Sequence, residues 1–254
     1  MITQTFEPDK KIALIVKNIL VFEENTNEET VLPFFADGYP GIIFQQTEGG
    51  MLVQPQNKIM PELFIYGQTI KPVELILHGN YKLLIFQLYP FVLKSFYDLN
   101  AEALNDTCYD ISTATYGDEV LDSLIHTTNL QEKIKILTDY LFDLFEEKKS
   151  ALDLTVRKAI QIILDNKGQI FVKDIFEQLH VTERTFERRF LKEVGMSAKQ
   201  FCQVVQFQQS FEQLTAKEYS RLTDIVYNNG FADQSHFIRV FKSYTGSTPK
   251  KFTT

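Results

Sequence analysis

The sequence predicts an α+β chain with a β-rich barrel or sandwich as N-terminal domain, a helical linker, and an all-α C-terminal domain. Three observations carry this. Up to Pro90 the apolar runs are short, rich in β-branched and aromatic residues, and separated by Gly and Pro turn signals. Beyond Pro90 the apolar residues recur at steps of three and four, the spacing of one helix face. From Leu152 onward the order helix, tight turn, capped helix occurs twice, about fifty residues apart.

The strands are read in KIALIVKNILVF, PGIIFQQ, ELFIYGQTI and VELILHGNYKLLIFQLYPF, with turns at Asp37-Gly38, Pro40-Gly41, Gly49-Gly50 and Gly79-Asn80. Short strands at this spacing suit a small barrel or sandwich. Helical patterns follow in PFVLKSFYDL and DEVLDSLIHTT. Another helix opens at Asn129, with Glu132 three residues on in the manner of a capping box. Its Leu130, Ile134, Leu137, Leu141 and Leu144 form a stripe over barely two heptads, which suits either packing on its own domain or a homodimer contact. EEKKS at 146–150 is a polar break. The expected domains are residues 1–115, β-rich; 116–150, a helical linker; and 151–254, all helical.

In the last of these, Val156, Ala159, Ile160 and Ile163 mark a helix closed by Gly168, and Ile175 and Leu179 mark the next. Thr182 then N-caps ERTFERRFLKEVG, which turns Phe186, Phe190 and Val194 inward and Arg184, Arg188 and Lys192 outward. A long helix from about 198 to 214 buries Phe201, Val204, Phe207, Phe211 and Leu214. RLTDIVYNNGF gives a short helix ending at Gly230, and Asp233 caps the last long one. There Phe237, Val240, Phe241 and Tyr244 share one stripe, opposite Ser235, Arg239 and Lys242.

Composition narrows the function. A chain of 254 residues with 44% apolar content can bury a sizeable core. The net charge of −7 is unevenly spread: residues 151–254 hold 15 Lys and Arg against 11 Asp and Glu, a net +4, which leaves −11 for residues 1–150. No arginine precedes Arg157, and guanidinium forks are preferred for phosphates and guanine edges. The first twenty residues lack the pattern of a signal peptide, and no apolar run nears the roughly eighteen residues of a membrane span, so a cytoplasmic protein is expected. Cys108 and Cys202 are the two cysteines, without CxxC spacing, and are expected to be reduced thiols. His78 and His126 are isolated, and no Gly-rich phosphate loop or nucleophile elbow occurs. No enzyme activity, cofactor or metal is therefore expected.

Each helix, turn, capped helix resembles a helix-turn-helix, whose second helix lays its first residues in the DNA major groove. The first copy would offer Arg184, Thr185 and Arg188 there, with Lys192 behind them. The second would offer Gln234, Ser235, His236 and Arg239, with Lys242 behind. Arg can pair with guanine, Gln with adenine, and Ser with several base edges. If the two helices stood about 34 Å apart they could enter consecutive major grooves. A helical bundle with solvated basic faces is the competing account of the same pattern.

At these residues a family resemblance adds weight. LTDIVYNNGFADQSHFIRVFKSYTGSTPKKF, residues 222–252, resembles the C-terminal signature of AraC-type (AraC/XylS family) transcription regulators, and VTERTFERRFLKEVGMSAKQF resembles their first helix-turn-helix. The resemblance implies double-stranded DNA as partner. It places Gln234, Ser235, His236, Arg239, Arg184, Thr185 and Arg188 toward bases or phosphates, and Gly230, Phe231, Phe237, Phe241 and Pro249 in the scaffold. The chain departs from the family pattern at Gln206, where an Arg is usual, at Ala198, where a Pro is frequent, and at Phe171, where a hydroxyl usually caps the helix. The N-terminal half is similar, more weakly, to cupin-like sensor domains of the family. That adds a small-molecule effector, RNA polymerase and a homodimer to the partners to consider. The alternatives are a signalling protein that uses the helical domain to bind other proteins, and a cupin-like enzyme in the N-terminal half.

Overall fold

In the computed structural model, residues 2–111 and 117–252 are described, and they fold as two sheets followed by helices. The strands are β1 (Ile2–Phe6), β2 (Val16–Glu24), β3 (Glu29–Phe34), β4 (Gly41–Thr47), β5 (Met51–Gln54), β6 (Lys58–Ile59), β7 (Leu63–Tyr66), β8 (Val73–His78), β9 (Tyr81–Leu88) and β10 (Cys108–Asp110). Six of them pair in the order β1-β2-β9-β4-β7-β10, and four in the order β3-β8-β5-β6. All the pairs are antiparallel. The architecture is a sandwich. The barrel alternative is set aside, because among the described residues no strand pairing joins the edges of one sheet to the edges of the other.

The central strands are buried on both faces, and their period of two separates two cores. From β9, Tyr81, Leu83 and Ile85 face the small sheet, with Ile43 of β4 and Phe64 of β7. Leu84, Phe86 and Leu88 face the other way, with Ile42, Phe44, Leu63 and Ile65, and meet the helices. The alternating runs that suggested strands thus specify two apolar layers.

The helices are α1 (Val92–Tyr97), α2 (Gly117–His126), α3 (Leu130–Lys148), α4 (Leu154–Asp165), α5 (Val172–Gln178), α6 (Glu183–Val194), α7 (Ala198–Thr215), α8 (Leu222–Asn228), α9 (Gln234–Thr245) and α10 (Pro249–Phe252). Asn129 caps α3 as expected, its side chain accepting from the N–H groups of Gln131 and Glu132. Leu137 and Leu141 of the expected stripe are fully buried within the chain, in the core that also holds the sheet. These two side chains are spent on intramolecular packing and are not open to a second copy. Lys133 is also buried. It donates to Gln46 Oε1, and its Nζ lies 5.0 Å from the centre of the Phe44 ring, which fixes α3 to β4. The domain boundary expected at 115/116 lies outside the described residues.

The apolar core facing the helices continues without a break into the C-terminal domain. Gly38 lies against Phe201 and Val204 of α7, Gln208 donates to the Ala36 carbonyl, and the Phe35 ring lies 5.4 Å from that of Phe211 and 5.7 Å from that of Phe252. Ser95 of α1 donates to Glu193 of α6 at 3.1 Å in a buried contact, and Asn105 donates to the Gly195 carbonyl at 2.7 Å. Burial raises the Glu193 carboxyl above its usual range, partly offset by the Ser95 hydroxyl.

Between the domains lies a polar cleft lined by Asp37, Tyr39 and Gln87 on one side and Gln161, Gln208 and Glu212 on the other. Burial pushes the Asp37 carboxyl up to about 6, against the N–H of Tyr39 and the amide of Gln87, which hydrogen-bond to it at 2.9 and 2.7 Å. An acid with a raised native pKa binds its proton more tightly in the folded state. It therefore favours folding most below its unfolded pKa of about 4, and that contribution is lost as pH rises to about 6. Asp37→Asn should remove a decline on the order of 2 kcal/mol in unfolding free energy between pH 4 and pH 6, measured by urea denaturation at fixed pH. An unaltered pH profile would contradict the enclosure of this carboxyl.

Candidate nucleic-acid interface

The two expected helix-turn-helix units are α5–α6 and α8–α9, joined by α7. Their second helices are built alike. Thr182 caps α6 by accepting from the Thr185 N–H, and Asp233 caps α9 by accepting from the His236 N–H at 2.7 Å. Gly195 and Gly246 end them with φ of +82° and +73°, the left-handed turn that glycine adopts without strain. The inner stripes are buried as the sequence implies: Phe186, Phe190 and Val194 in α6, and Phe237, Val240, Phe241 and Tyr244 in α9. Their rings form two series of contacts, Phe176–Phe186–Phe190–Phe201 around α6, and Phe207, Phe211 and Phe237 about Phe241 in α9. The apolar stripe thus sets the roll of each helix, and the roll decides what faces outward.

Outward on α6 are Arg184, Arg188 and Lys192, all exposed. Arg189 is turned aside to Asp153 (3.8 Å) and Thr155 (3.3 Å), so it braces α4 and does not extend the ridge. Thr185 is half-buried, and its hydroxyl oxygen accepts from Thr182 at 3.0 Å. Glu187 is partly buried, where burial raises its carboxyl and the backbone N–H of Ala198 holds it down. That contact draws this acid, the neighbour of Arg188, toward the start of α7. Lys192, at the far end of α6, lies close enough to Asp98 of the N-terminal domain to help hold that carboxylate ionised, behind the stronger effect of Lys94.

Outward on α9, Gln234, Ser235, Arg239 and Lys242 are exposed. Ser235, Arg239 and Lys242 share one shallow surface concavity with Ile238 and Ser243. His236 stands apart from them. It is half-buried, its ring lies 5.7 Å from that of Phe231 at a steep angle, and its Nδ1 is enclosed without a hydrogen-bond partner. None of the exposed cations in either set has a carboxylate within ion-pair distance among the described residues. Two exposed polar faces, each with free positive charge, can accept phosphates and base edges.

A different kind of site lies in the N-terminal domain. An apolar cavity of about 160 Å³ opens between the two sheets, lined by Phe34, Ile43, Phe64 and Leu75, with Lys58 and Cys108 also in its wall. Aromatic strand residues give no sign in sequence of whether they fill a core or line a pocket, so this site was not legible there. Among the described residues no group of three or more His, Cys, Asp or Glu converges as metal ligands, and no helix is long and apolar enough to cross a membrane.

Residues 175–254 match a family model described as a helix-turn-helix domain, and residues 4–110 match one described as a domain of unknown function (DUF6597). No curated protein matches the chain. Among solved structures the chain is similar to unsaturated fatty acid bound wild-type ToxT from Vibrio cholerae strain SCE256. The identity is 16% and the TM-score 0.50, over 92% of this chain and 94% of that one. ToxT from Vibrio cholerae O395 aligns at 13% identity over 99% of this chain and 96% of that one, with a TM-score of 0.48. The C-terminal domain of AraT, a response regulator from Geobacillus stearothermophilus, aligns at 24% identity over 40% of this chain and 85% of that one, with a TM-score of 0.38. The likeness to the fatty acid bound structure is one of fold: an N-terminal β domain followed by a helical domain.

Phe171, at the N-cap of α5, makes no side-chain capping bond and is 80% exposed. Phe171→Ser supplies the missing acceptor and should raise unfolding free energy by about 1 kcal/mol, seen as a thermal midpoint higher by roughly 2–4 °C. A midpoint that is unchanged or lower would show that the ring contributes more than the cap.

Proposed function

The chain is a DNA-binding transcription regulator with an AraC-type helix-turn-helix domain, and from that premise we propose that α6 and α9 are its two recognition helices, reading consecutive major grooves of one duplex. The observation that carries this is the shared construction of the two helices: capped start, buried aromatic stripe, and an outer face of Arg184, Arg188 and Lys192 in one and Gln234, Ser235, Arg239 and Lys242 in the other. Arg184, Arg188, Gln234, Ser235 and Arg239 lie near enough to the helix starts to reach base edges. Lys192 and Lys242, toward the helix ends, serve phosphates. Thr185 and His236 are half-buried, and in this reading they orient the helix starts and touch the groove only at their exposed edges.

Regulation belongs to the N-terminal domain in the same reading, with a small molecule as effector. The ToxT structure with an unsaturated fatty acid bound shows a protein of this fold holding such a molecule. The apolar cavity offers this chain a place for a small effector. The protein acts by binding, not by catalysis, and RNA polymerase is the partner that activation would bring. A homodimer would have to use a face other than the buried Leu137 and Leu141.

On a duplex carrying the selected site, Arg239→Ala should cost roughly 1–3 kcal/mol of specific binding and relax preference at one base pair, while binding to random duplex falls far less. Gel shifts with both duplexes over a salt series check this. Equal losses on the two duplexes would remove Arg239 from base reading.

A further inference from the structure

We propose that the cavity between the sheets takes a small apolar acid of about one ring, and that its occupancy is transmitted along residues 101–108 to the first helix-turn-helix. The proposal rests on the reading of the N-terminal domain as the regulatory one.

The size of the ligand follows from volume. The cavity measures about 160 Å³, and an apolar cavity of about 150 Å³ in a protein interior holds one benzene. A single ring or a chain of some six carbons fits, and a long acyl chain does not. The interior is apolar, lined by Phe34, Ile43, Val53, Phe64, Val73 and Leu75. Its wall is polar where β6 and β10, the edge strands of the two sheets, approach each other. Gln56 donates there to the Asp106 carbonyl at 3.1 Å, and Lys58 to Cys108 Sγ at 3.2 Å.

The charge of the ligand follows from Lys58. Its ammonium has no carboxylate within ion-pair distance among the described residues and rests on a thiol, a weak acceptor. The one carboxylate in the same wall, Asp106, is occupied: its Oδ1 accepts from the backbone N–H groups of Ile70 and Lys71 at 2.7 and 3.0 Å. Lys58 is therefore a cationic donor in the polar wall without a carboxylate partner of its own, and it suits an anionic head group whose apolar body enters the cavity.

The route follows from the chain. Asp106, Thr107 and Cys108 line the cavity. Directly before them, Asn105 donates to the carbonyl of Gly195, the residue that ends α6, while its own Oδ1 is buried without a partner. Ala101 packs on the same glycine so closely that a Cβ there would lie 2.6 Å from the Ala101 oxygen. One short segment thus forms the cavity wall at one end and the seat of the first recognition helix at the other. The corresponding glycine of α9, Gly246, has a looser contact with the N-terminal domain, Pro72 lying 3.7 Å from where its Cβ would be. A ligand that displaces residues 106–108 therefore shifts the support of α6 most directly.

The test uses the full chain and benzoate, with benzyl alcohol as the neutral isostere and oleate as the long acid. Calorimetric titration should show benzoate binding and no oleate binding. Lys58→Gln should weaken benzoate about tenfold and leave benzyl alcohol within about twofold. Val53→Phe, at a half-exposed wall position, should abolish both, and Leu75→Phe repeats the test from the opposite strand should the first variant fold poorly. Footprints with and without benzoate should then differ most over the half-site under α6, and Asn105→Ala should bind benzoate normally while losing that difference. Absence of benzoate binding, binding that survives both Phe variants, or an Asn105→Ala footprint that responds like the unaltered chain would each overturn the proposal. Specific DNA binding by the ligand-free protein is scored separately, so the loss of this inference and the loss of the DNA-binding reading are told apart.

Discussion

The packing of α7 is the interaction on which the rest of the structure depends. This helix joins the two helix-turn-helix units and buries Phe201, Val204, Phe207 and Leu214 among them, while Gly38, Ala36 and Phe35 of the N-terminal domain lie along its other side. Each fully buried Phe is worth about 2–3 kcal/mol, several times a typical exposed ion pair such as Lys173 with Glu177. Aromatic packing, and not surface charge, therefore fixes how α6 and α9 stand relative to each other. A capping box between Ser197 and Gln200 starts α7, and the Ala198 N–H bonds to Glu187 of α6. A proline at 198 would lack that donor, which gives a physical sense to one departure from the family pattern.

Charge does a different job from packing. The excess of acid in residues 1–150 and of base in residues 151–254 divides the chain into a half that repels nucleic acid and a half that attracts it. Within the basic half, the cations on the outer faces of α6 and α9 have no carboxylate within ion-pair distance among the described residues, whereas Arg189, on the flank of α6, is matched by Asp153. In the proposed reading, electrostatics steers the duplex to a surface whose shape the aromatic core has already set. Because the N-terminal domain shares that core and holds the end of α6 through Ser95 and Asn105, a change in it has a mechanical path to the recognition surface.

The helical half was legible in the sequence because its determinants are local. Thr182, Asp233, Gly195 and the stripes through Phe186 and Phe237 are read from spacing alone, and each takes the place that its spacing implies. Strand positions were legible for the same reason, whereas the choice between barrel and sandwich was not, since it depends on which edges pair across long separations, as β10 does with β7. The half-burial of His236 and Thr185 was not legible from helical spacing, because both lie at the margin of the inner stripe, where the neighbouring Phe231 ring and Thr182 hydroxyl decide. The contacts between the domains left no sequence signal at all. Gly38 reads as a turn glycine, and only the fold reveals that Phe201 lies over it.

The central claim is that two recognition helices, held at fixed separation by α7, engage one face of a duplex together. Hydroxyl-radical footprinting of the full chain on its selected site tests this most directly. The account predicts two protected segments on the same face, centred about 10 base pairs apart, each bordered by base-specific interference in the major groove. One protected segment, or two whose spacing varies from site to site, would contradict it.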